Sequence, residues 1–203
     1  MLNISVLVSG GGTNLQAIID AVAAGRIPRA RIVQVISSNA KAYSLERAKA
    51  GGIPAGVIGK ENFPDQAKRT QALIRALQDC NTDLVVLAGY MSVLEPAFIA
   101  AFRGRIINIH PSLIPKFCGK GFYGKRVHQA VLDAGETVSG ATVHYVDEGV
   151  DTGPIILQRQ VAVLPEDTAD TLAARVLEVE HEILVEAIIS LAEEINREKA
   201  SRS

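Results

Sequence analysis

Short apolar runs alternate with longer stretches of mixed apolar and polar residues along most of the chain. Aliphatic and β-branched residues dominate the short runs, which predicts strands that are buried on both faces of a sheet. The predicted strands span residues 3–8, 31–36, 55–58, 84–88, 105–109, 139–146 and 155–163.

Apolar residues recur three and four positions apart in most of the longer stretches, and this spacing predicts helices. The predicted helices start at Thr13, cover residues 45–50, 63–78, 96–102 and 127–134, and finish with a long helix that Thr168 opens. This alternation predicts a single-domain, Rossmann-like α/β fold, an open and mostly parallel sheet with helices on both faces. The last two strands flank a short loop, so we expect them to form an antiparallel pair before the long final helix.

Length and charge narrow the class of protein. The 203 residues suit one domain, expected over residues 1–195, followed by a polar, frayed tail at 196–203. A net charge of −1 gives no electrostatic argument for binding nucleic acid or a membrane surface. Two cysteines, no targeting segment and no apolar run of about 20 residues lead us to expect a soluble cytoplasmic protein with free thiols.

A glycine-rich turn at residues 9–14 (SGGGTN) joins the first predicted strand to the first helix. Backbone N–H groups and the helix dipole at such a turn favour an anion, so we prefer a phosphate site to a merely tight β–α turn. Thr13 and Gln16 have the spacing of a capping box. Leu15 occupies the third glycine position of the dinucleotide fingerprint, so a single phosphate fits better than a pyrophosphate.

The fifth predicted strand runs into a polar pair within residues 106–115 (IINIHPSLIP). Pro111 lacks an N–H and stops the strand, and Asn108 and His110, two residues apart, project from one face. Ligands bind at the carboxyl ends of strands in open α/β sheets, so this pair is a candidate site. A hydrogen-bonded amide beside a structural histidine explains the pattern equally well.

The loop between the last two strands supplies carboxylates at Asp147, Glu148 and Asp151. An amide donor, an imidazole and a carboxylate together suit acyl transfer, although each could be structural. The four histidines lack metal-ligand spacing and no G-x-S-x-G elbow occurs, so we expect neither a metal nor a serine nucleophile. The segment 116–125 (KFCGKGFYGK) is expected to be a flexible flap over a ligand or an ordinary surface loop.

Four segments, in this order, resemble the glycinamide ribonucleotide formyltransferases: residues 9–14, 87–91 (LAGYM), 108–115 (NIHPSLIP) and 150–154 (VDTGP). That family transfers a formyl group from 10-formyltetrahydrofolate, a co-substrate, to the amine of glycinamide ribonucleotide in purine biosynthesis. The resemblance implies a folate-dependent formyltransferase with two small-molecule substrates. We expect a monomer or a homodimer, and the sequence does not decide between them. The resemblance implies no metal, nucleic acid or membrane partner.

The resemblance also assigns roles by position. It places catalysis on Asn108, His110 and Asp151. It places ribonucleotide binding on Gly12, Thr13, Asn14 and Glu180. It places folate binding on Met91, Ser92, Val93, Leu94, Asn108, Asp147, Glu148, Gly149, Val150 and Asp151.

These roles fit a tetrahedral intermediate whose oxyanion accepts hydrogen bonds from Asn108 and protonated His110. Asp151 near His110 is expected to raise the pKa of the imidazole and so favour its charged form.

Three residues depart from the family pattern. Leu177 stands where relatives contact the phosphate, so that contact is expected to be lost. Gln66 stands where relatives carry a folate-contacting arginine, and Thr152 stands where a glycine is common.

Three other functions remain as alternatives. A methionyl-tRNA formyltransferase shares the same trio, but we expect it to carry a further nucleic-acid-binding domain. A formyltetrahydrofolate hydrolase uses water in place of the amine, but we expect it to carry an additional N-terminal regulatory domain. A non-catalytic module that binds a phosphate ligand explains the glycine turn and leaves the trio without a joint role.

Overall fold

The computed structural model describes residues 1–201 and contains one sheet with helices against it. The strands are β1 (Leu2–Val8), β2 (Ala30–Ser37), β3 (Ala55–Val57), β4 (Leu84–Leu87), β5 (Ile106–His110), β6 (Val138–Tyr145) and β7 (Ile155–Ala162). The helices are α1 (Thr13–Ala23), α2 (Ser44–Ala50), α3 (Gln66–Asp79), α4 (Pro96–Ala101), α5 (Lys125–Asp133) and α6 (Ala169–Ser201).

The strand order across the sheet is β3-β2-β1-β4-β5-β6-β7. Strands β1 to β5 are parallel, whereas β6 runs antiparallel to both β5 and β7. The predicted fold is therefore confirmed, including the antiparallel pair. The chain moves outward from β1 to β3 and then returns to β4 on the other side of β1. This reversal opens a crevice at the carboxyl ends of β1 and β4, where ligands bind in such sheets.

Side chains of the strands alternate between two apolar cores. On β1, Val6 packs into the core formed with α1 and α6, whereas Leu7 packs into the core formed with α3 and α4. This period-two alternation is what a strand covered on both faces requires. Both cores are fully apolar at their centres, with Ile18 of α1 on one side and Phe98 of α4 on the other, each without exposed surface.

The structure corrects the predicted cap of α1 and the predicted start of α3. Helix α1 begins at Thr13 as expected, but its cap is Gly12 in a left-handed conformation (φ 74°) without a side-chain hydrogen bond. The predicted capping box was wrong, because Gln16 donates instead to Asp20 one turn later. Helix α3 begins at Gln66 rather than at residue 63, because the Asp65 carboxylate accepts the Lys68 N–H at 2.8 Å and caps it there.

The final helix is longer than expected. A frayed tail was predicted from Asn196 onwards, but residues 196–201 continue α6. Lys199 holds this last part in place, since its ammonium lies 2.6 Å from the Asp83 carboxylate and 3.2 Å from the Met1 carbonyl oxygen. Residues 202–203 of the predicted tail lie outside the described residues, and a single domain bounded at residue 195 stays a prediction. Cys80 and Cys118 are free thiols, as expected.

Candidate active site

Three residues named from the sequence meet at the end of β5. Asn108 and His110 lie on β5, and the loop after β6 brings Asp151 back over the same end of the strand. The Asp151 Oδ2 atom lies 3.6 Å from His110 Nδ1. The side chain of His110 is almost fully buried, and Asp151 retains only slight exposure. The structure therefore brings together a carboxylate and an imidazole that are far apart in sequence.

A fourth residue, His144, completes this cluster. The antiparallel register places His144 of β6 directly opposite Asn108 of β5. Its Nε2 atom lies 3.2 Å from the Asn108 amide nitrogen and 3.6 Å from Asp151 Oδ1. One Asp151 carboxylate thus faces two imidazoles, one through each oxygen.

Sequence reasoning missed His144. Its signal was the alternation of β6, in which Thr142 and His144 share a face, combined with pairing of β6 beside β5. Neither observation identifies the residue until the register is known.

Hydrogen bonds set the tautomer of His144. Its Nδ1 atom donates to the Tyr145 carbonyl oxygen at 2.8 Å, because a carbonyl can only accept. In the neutral ring, Nε2 then carries the lone pair and accepts the Asn108 N–H. One amide N–H of Asn108 is held by His144, and the second remains available to a ligand.

Segment 116–125 closes over the cluster from the other side. The backbone N–H of Gly119 donates to Asp151 Oδ2 at 2.9 Å. His110 Nε2 lies 2.9 Å from the Phe117 carbonyl oxygen and donates to it. Asp151 itself adopts a left-handed backbone (φ 58°), which is uncommon for a residue other than glycine. The segment therefore anchors both members of the His110–Asp151 pair.

Burial and charge act in opposite directions on the pair. Burial lowers the pKa of His110 below its usual 6.5, and it outweighs the Phe117 carbonyl and the Asp151 charge, which both raise that pKa. Asp151 therefore raises the pKa of His110 as expected, but burial outweighs this effect and the pKa is lowered overall. Burial opposes ionisation of Asp151, yet His144, the Gly119 N–H and the charge of His110 together hold its pKa below the usual range.

The glycine turn forms a second part of the site. Gly12 is left-handed, and a Cβ built there would lie 2.5 Å from Ser44 Cβ of α2, so only glycine fits. Asn14, in the first turn of α1, donates from its amide to Glu180 Oε2 of α6 at 2.8 Å. The structure thus brings together the predicted ribonucleotide residues Gly12, Asn14 and Glu180, with Thr13 half-buried between them.

Two polar groups in this second part are poised for a ligand. The Asn14 Oδ1 atom is buried and has no hydrogen-bond partner among residues 1–201. Burial raises the pKa of Glu180 to about 7, and the Asn14 hydrogen bond opposes this only in part. Leu177 lies one turn before Glu180 on α6, so this helix offers no donor at the position of the expected phosphate contact.

The two predicted folate segments lie at the rim. Met91 and Val93, in the segment after β4, are 55% and 82% exposed, and the Met91 N–H donates to Ser9 Oγ. Leu94 lies inward from them, against the core of α3 and α4. Ser92 belongs to the same segment. These exposed apolar side chains favour contact with an apolar part of a ligand.

The acidic loop 147–151 is closed by its own hydrogen bonds. The Asp147 carboxylate accepts the Gly149 N–H at 3.0 Å and the Thr152 hydroxyl at 2.5 Å. Thr152, the departure from the family pattern, therefore ties the loop together. Glu148 pairs with Arg103 at 2.7 Å, and Val150 is exposed. Gln66, another departure from the family pattern, is an exposed residue in the first turn of α3.

Residues 1–201 contain neither a metal-binding cluster nor a membrane-spanning helix. Within residues 1–201, no group of three or more His, Cys, Asp or Glu side chains is arranged to hold a metal ion. None of the helices in that same range combines the length and the apolar character needed to cross a membrane.

Comparison with known proteins agrees with this geometry. The family model described as Formyl transferase matches residues 2–188. A phosphoribosylglycinamide formyltransferase of Haemophilus influenzae is 47% identical over 90% of this chain and 84% of its own length. The trifunctional purine biosynthetic protein adenosine-3 of Drosophila pseudoobscura pseudoobscura is 46% identical over 93% of this chain, which spans only 14% of that longer protein.

Solved structures give the same result. Glycinamide ribonucleotide transformylase 1 from Symbiobacterium toebii superposes with a TM-score of 0.90 and 46% identity, covering 96% of this chain and 89% of that one. The phosphoribosylglycinamide formyltransferase from Brucella melitensis gives a TM-score of 0.86 at 43% identity, covering 94% and 95%. The chain therefore belongs to the formyl transferase family.

Proposed function

We propose that this chain transfers the formyl group of 10-formyltetrahydrofolate to the amine of glycinamide ribonucleotide in purine biosynthesis. The observation that carries the proposal is the convergence of Asn108, His110 and Asp151 at the carboxyl end of β5. The glycine turn follows β1 and the Met91–Leu94 segment follows β4, and because β1, β4 and β5 are adjacent parallel strands, both lie at the same edge of the sheet as this cluster.

The reaction starts with attack of the neutral amine on the formyl carbon. A C–N bond forms, the carbonyl π electrons move to oxygen, and a tetrahedral oxyanion results. The second Asn108 amide N–H and His110 Nε2–H are the donors proposed for this oxyanion. His110 now donates to the Phe117 carbonyl oxygen, so reaching the oxyanion requires exchange of that hydrogen bond.

Collapse of the intermediate completes the transfer. The attacking nitrogen loses a proton, the folate N10 gains one, and the bond from carbon to N10 breaks. Asp151 favours the cationic form of His110, which can deliver a proton during this step. The products are the formylated ribonucleotide and tetrahydrofolate.

The ligand assignments fall into two regions. Gly12, Thr13, Asn14 and Glu180 are proposed to hold the ribonucleotide, because they surround the start of α1, where N–H groups favour phosphate. Met91 to Leu94 and Asp147 to Asp151 are proposed to hold the folate. We further propose that the chain acts in the cytoplasm on these small molecules alone, as a monomer or homodimer and without a metal.

A turnover assay tests this function. The purified chain is mixed with 10-formyltetrahydrofolate, with and without glycinamide ribonucleotide, and tetrahydrofolate, formate and formylated ribonucleotide are quantified. We expect tetrahydrofolate and formylated ribonucleotide to appear in equal amounts, and only when the amine is present. Formate released without the amine would instead identify a hydrolase. Ligand binding without any product would identify a non-catalytic binding module.

A further inference from the structure

Arg47 of α2 lies against the glycine turn. Its Nε donates to the Gly11 carbonyl oxygen at 2.8 Å, and its Nη1 donates to Gln16 Oε1 at 3.2 Å. The guanidinium also lies 5.1 Å from the centre of the Tyr43 ring. These three contacts hold the cation beside the start of α1.

Helix α2 is fixed to this turn independently of the Arg47 side chain. The backbone N–H of Ser44 donates to the Gly10 carbonyl oxygen at 3.1 Å. The absence of a side chain on Gly12 lets Ser44 approach so closely that a Cβ there would clash. The position of Arg47 is therefore set by the backbone of both elements, which makes it a preorganised cation.

The charge of Arg47 is not compensated by the protein. No carboxylate lies within 4.0 Å of its guanidinium in the described part of the chain, whereas Arg159 and Arg175 each pair with acidic side chains at 2.7–2.8 Å. Its Nη2 makes no hydrogen bond to any residue between 1 and 201. Two of its donor atoms fix the side chain, and the third is available.

The charge of Arg47 also acts on helix α6. Burial and then the charge of Arg47 lower the pKa of His181, which lies on α6 next to Glu180. Asn14 lies in the first turn of α1, beside the same glycine turn, is only 8% exposed, and keeps its Oδ1 without a partner in residues 1–201. The buried Asn14 Oδ1 can accept a hydrogen bond from a ligand hydroxyl, and the uncompensated guanidinium of Arg47 can bind a ligand anion. A sugar phosphate carries both groups.

We propose that Arg47 is a phosphate-binding residue, which supplies a phosphate contact in place of the one that Leu177 of α6 cannot make. This assignment rests on the proposed function, in which the ligand is a ribonucleotide. Arginine Nη2 and the N–H groups of the turn would then hold the 5′-phosphate from two sides. Asn14 Oδ1 would accept a hydroxyl of the ribose.

Calorimetric titration tests this with two ligands, glycinamide ribonucleotide and the corresponding ribonucleoside that lacks the phosphate. The proteins are the wild type, Arg47→Gln, Arg47→Lys and Lys49→Gln. Lys49 is an exposed cation on the same helix and controls for the loss of charge alone. Arg47→Lys keeps the charge and guards against a fold defect in Arg47→Gln.

We expect Arg47→Gln to weaken ribonucleotide binding roughly ten- to hundredfold, the usual effect of one charged hydrogen bond. The same variant should bind the ribonucleoside like the wild type. Arg47→Lys should lose less ribonucleotide affinity than Arg47→Gln, and Lys49→Gln should bind both ligands with the affinity of the wild type.

Two results would overturn the assignment. Equal weakening of both ligands in Arg47→Gln would show that Arg47 acts only through Gly11, and unchanged binding of both would show that it has no role. Failure of the proposed function looks different: a wild type that binds the ribonucleotide through Arg47 but forms no product refutes formyl transfer and leaves the phosphate contact standing. A wild type that binds neither ligand refutes both.

Discussion

The Asn108 amide nitrogen lies 3.2 Å from His144 Nε2, and this contact joins the two strands that carry the candidate site. His144 Nδ1 donates to a backbone carbonyl and therefore carries the proton of the neutral ring. Its Nε2 is then an acceptor, and it accepts the Asn108 N–H. His144 therefore orients the amide that is proposed to face the oxyanion. It is a positioning residue rather than a group that touches the substrate.

Replacing His144 tests this orientation. His144→Leu should lower kcat by roughly 10- to 100-fold, because the Asn108 amide loses its acceptor and can rotate away from the reacting atoms. His144→Gln keeps a hydrogen-bond acceptor for the Asn108 amide, so its kcat should fall less than that of His144→Leu. The measurement is kcat under conditions where chemistry limits turnover, with melting temperatures to confirm that both variants fold. Equal rates for the wild type and both folded variants would contradict the role.

Glu180 makes stability depend on pH. Its pKa is about 7 in the folded protein against 4.5 for an ordinary glutamate, so the folded state holds a proton that the unfolded state releases. Stability should therefore fall as the pH rises from about 4.5 to 7 and stay low above that window. The loss should reach about 3 kcal/mol, at about 1.4 kcal/mol per pH unit.

Glu180→Gln isolates this effect, because it cannot ionise and can still accept the Asn14 N–H. Denaturant unfolding of both proteins at pH 5 and pH 8 gives the comparison. We expect the free energy of unfolding of the wild type to fall from pH 5 to pH 8 relative to that of the variant. A stability difference that does not change with pH would show that Glu180 has an ordinary pKa.

Replacing Thr152 should weaken binding of the formyl donor and leave binding of the ribonucleotide unchanged. Its hydroxyl donates to Asp147 and closes the 147–151 loop, which is proposed to hold the folate. Thr152→Ala should raise KM for 10-formyltetrahydrofolate several-fold, because the loop must be ordered on binding. Thr152→Ser retains the hydroxyl and should behave like the wild type. If KM for the ribonucleotide rises equally, the loop serves the whole site and the folate assignment loses its support.

The fold was largely predictable because it depends on local patterns. Apolar runs and helical spacing identified the strands, the long final helix and the antiparallel end of the sheet. The start of α3 was predicted too early because Asp65 caps the helix after Pro64, and the capping box at Thr13 failed because Gly12 adopts a left-handed cap. Local competition between caps is a difference of about 1 kcal/mol, which periodicity does not resolve.

The site was predictable in its parts rather than in its contacts. Asn108 and His110 were evident from the strand that ends at Pro111. Nothing in the chain pattern places Asp151 beside His110, and only the resemblance brought them together. His144 and Arg47 were not identified, because their roles arise from strand register and helix packing that form only in the folded chain.

Asp151 should keep the pKa of His110 higher than burial alone would leave it. Burial keeps that pKa below 6.5 even with the carboxylate present, so Asp151→Asn should lower it further by removing the opposing charge. NMR titration of the imidazole resonances measures this. His181 serves as the internal control, since its pKa responds to burial, Arg47 and Glu178 rather than to Asp151. If the pKa of His110 does not change in the variant, Asp151 exerts no electrostatic effect on the imidazole.

Asp151 and His110 are proposed to act as one catalytic unit, and a double-mutant cycle on kcat tests this most directly. The cycle compares the wild type, Asp151→Asn, His110→Ala and the double variant under conditions where chemistry limits turnover. Because Asp151 lies 3.6 Å from His110 Nδ1, it is proposed to act through the imidazole. We predict that both single variants are slow and that the double variant is scarcely slower than His110→Ala. If the loss in kcat of the double variant equals the product of the two single losses, the two residues act independently and do not form one catalytic unit.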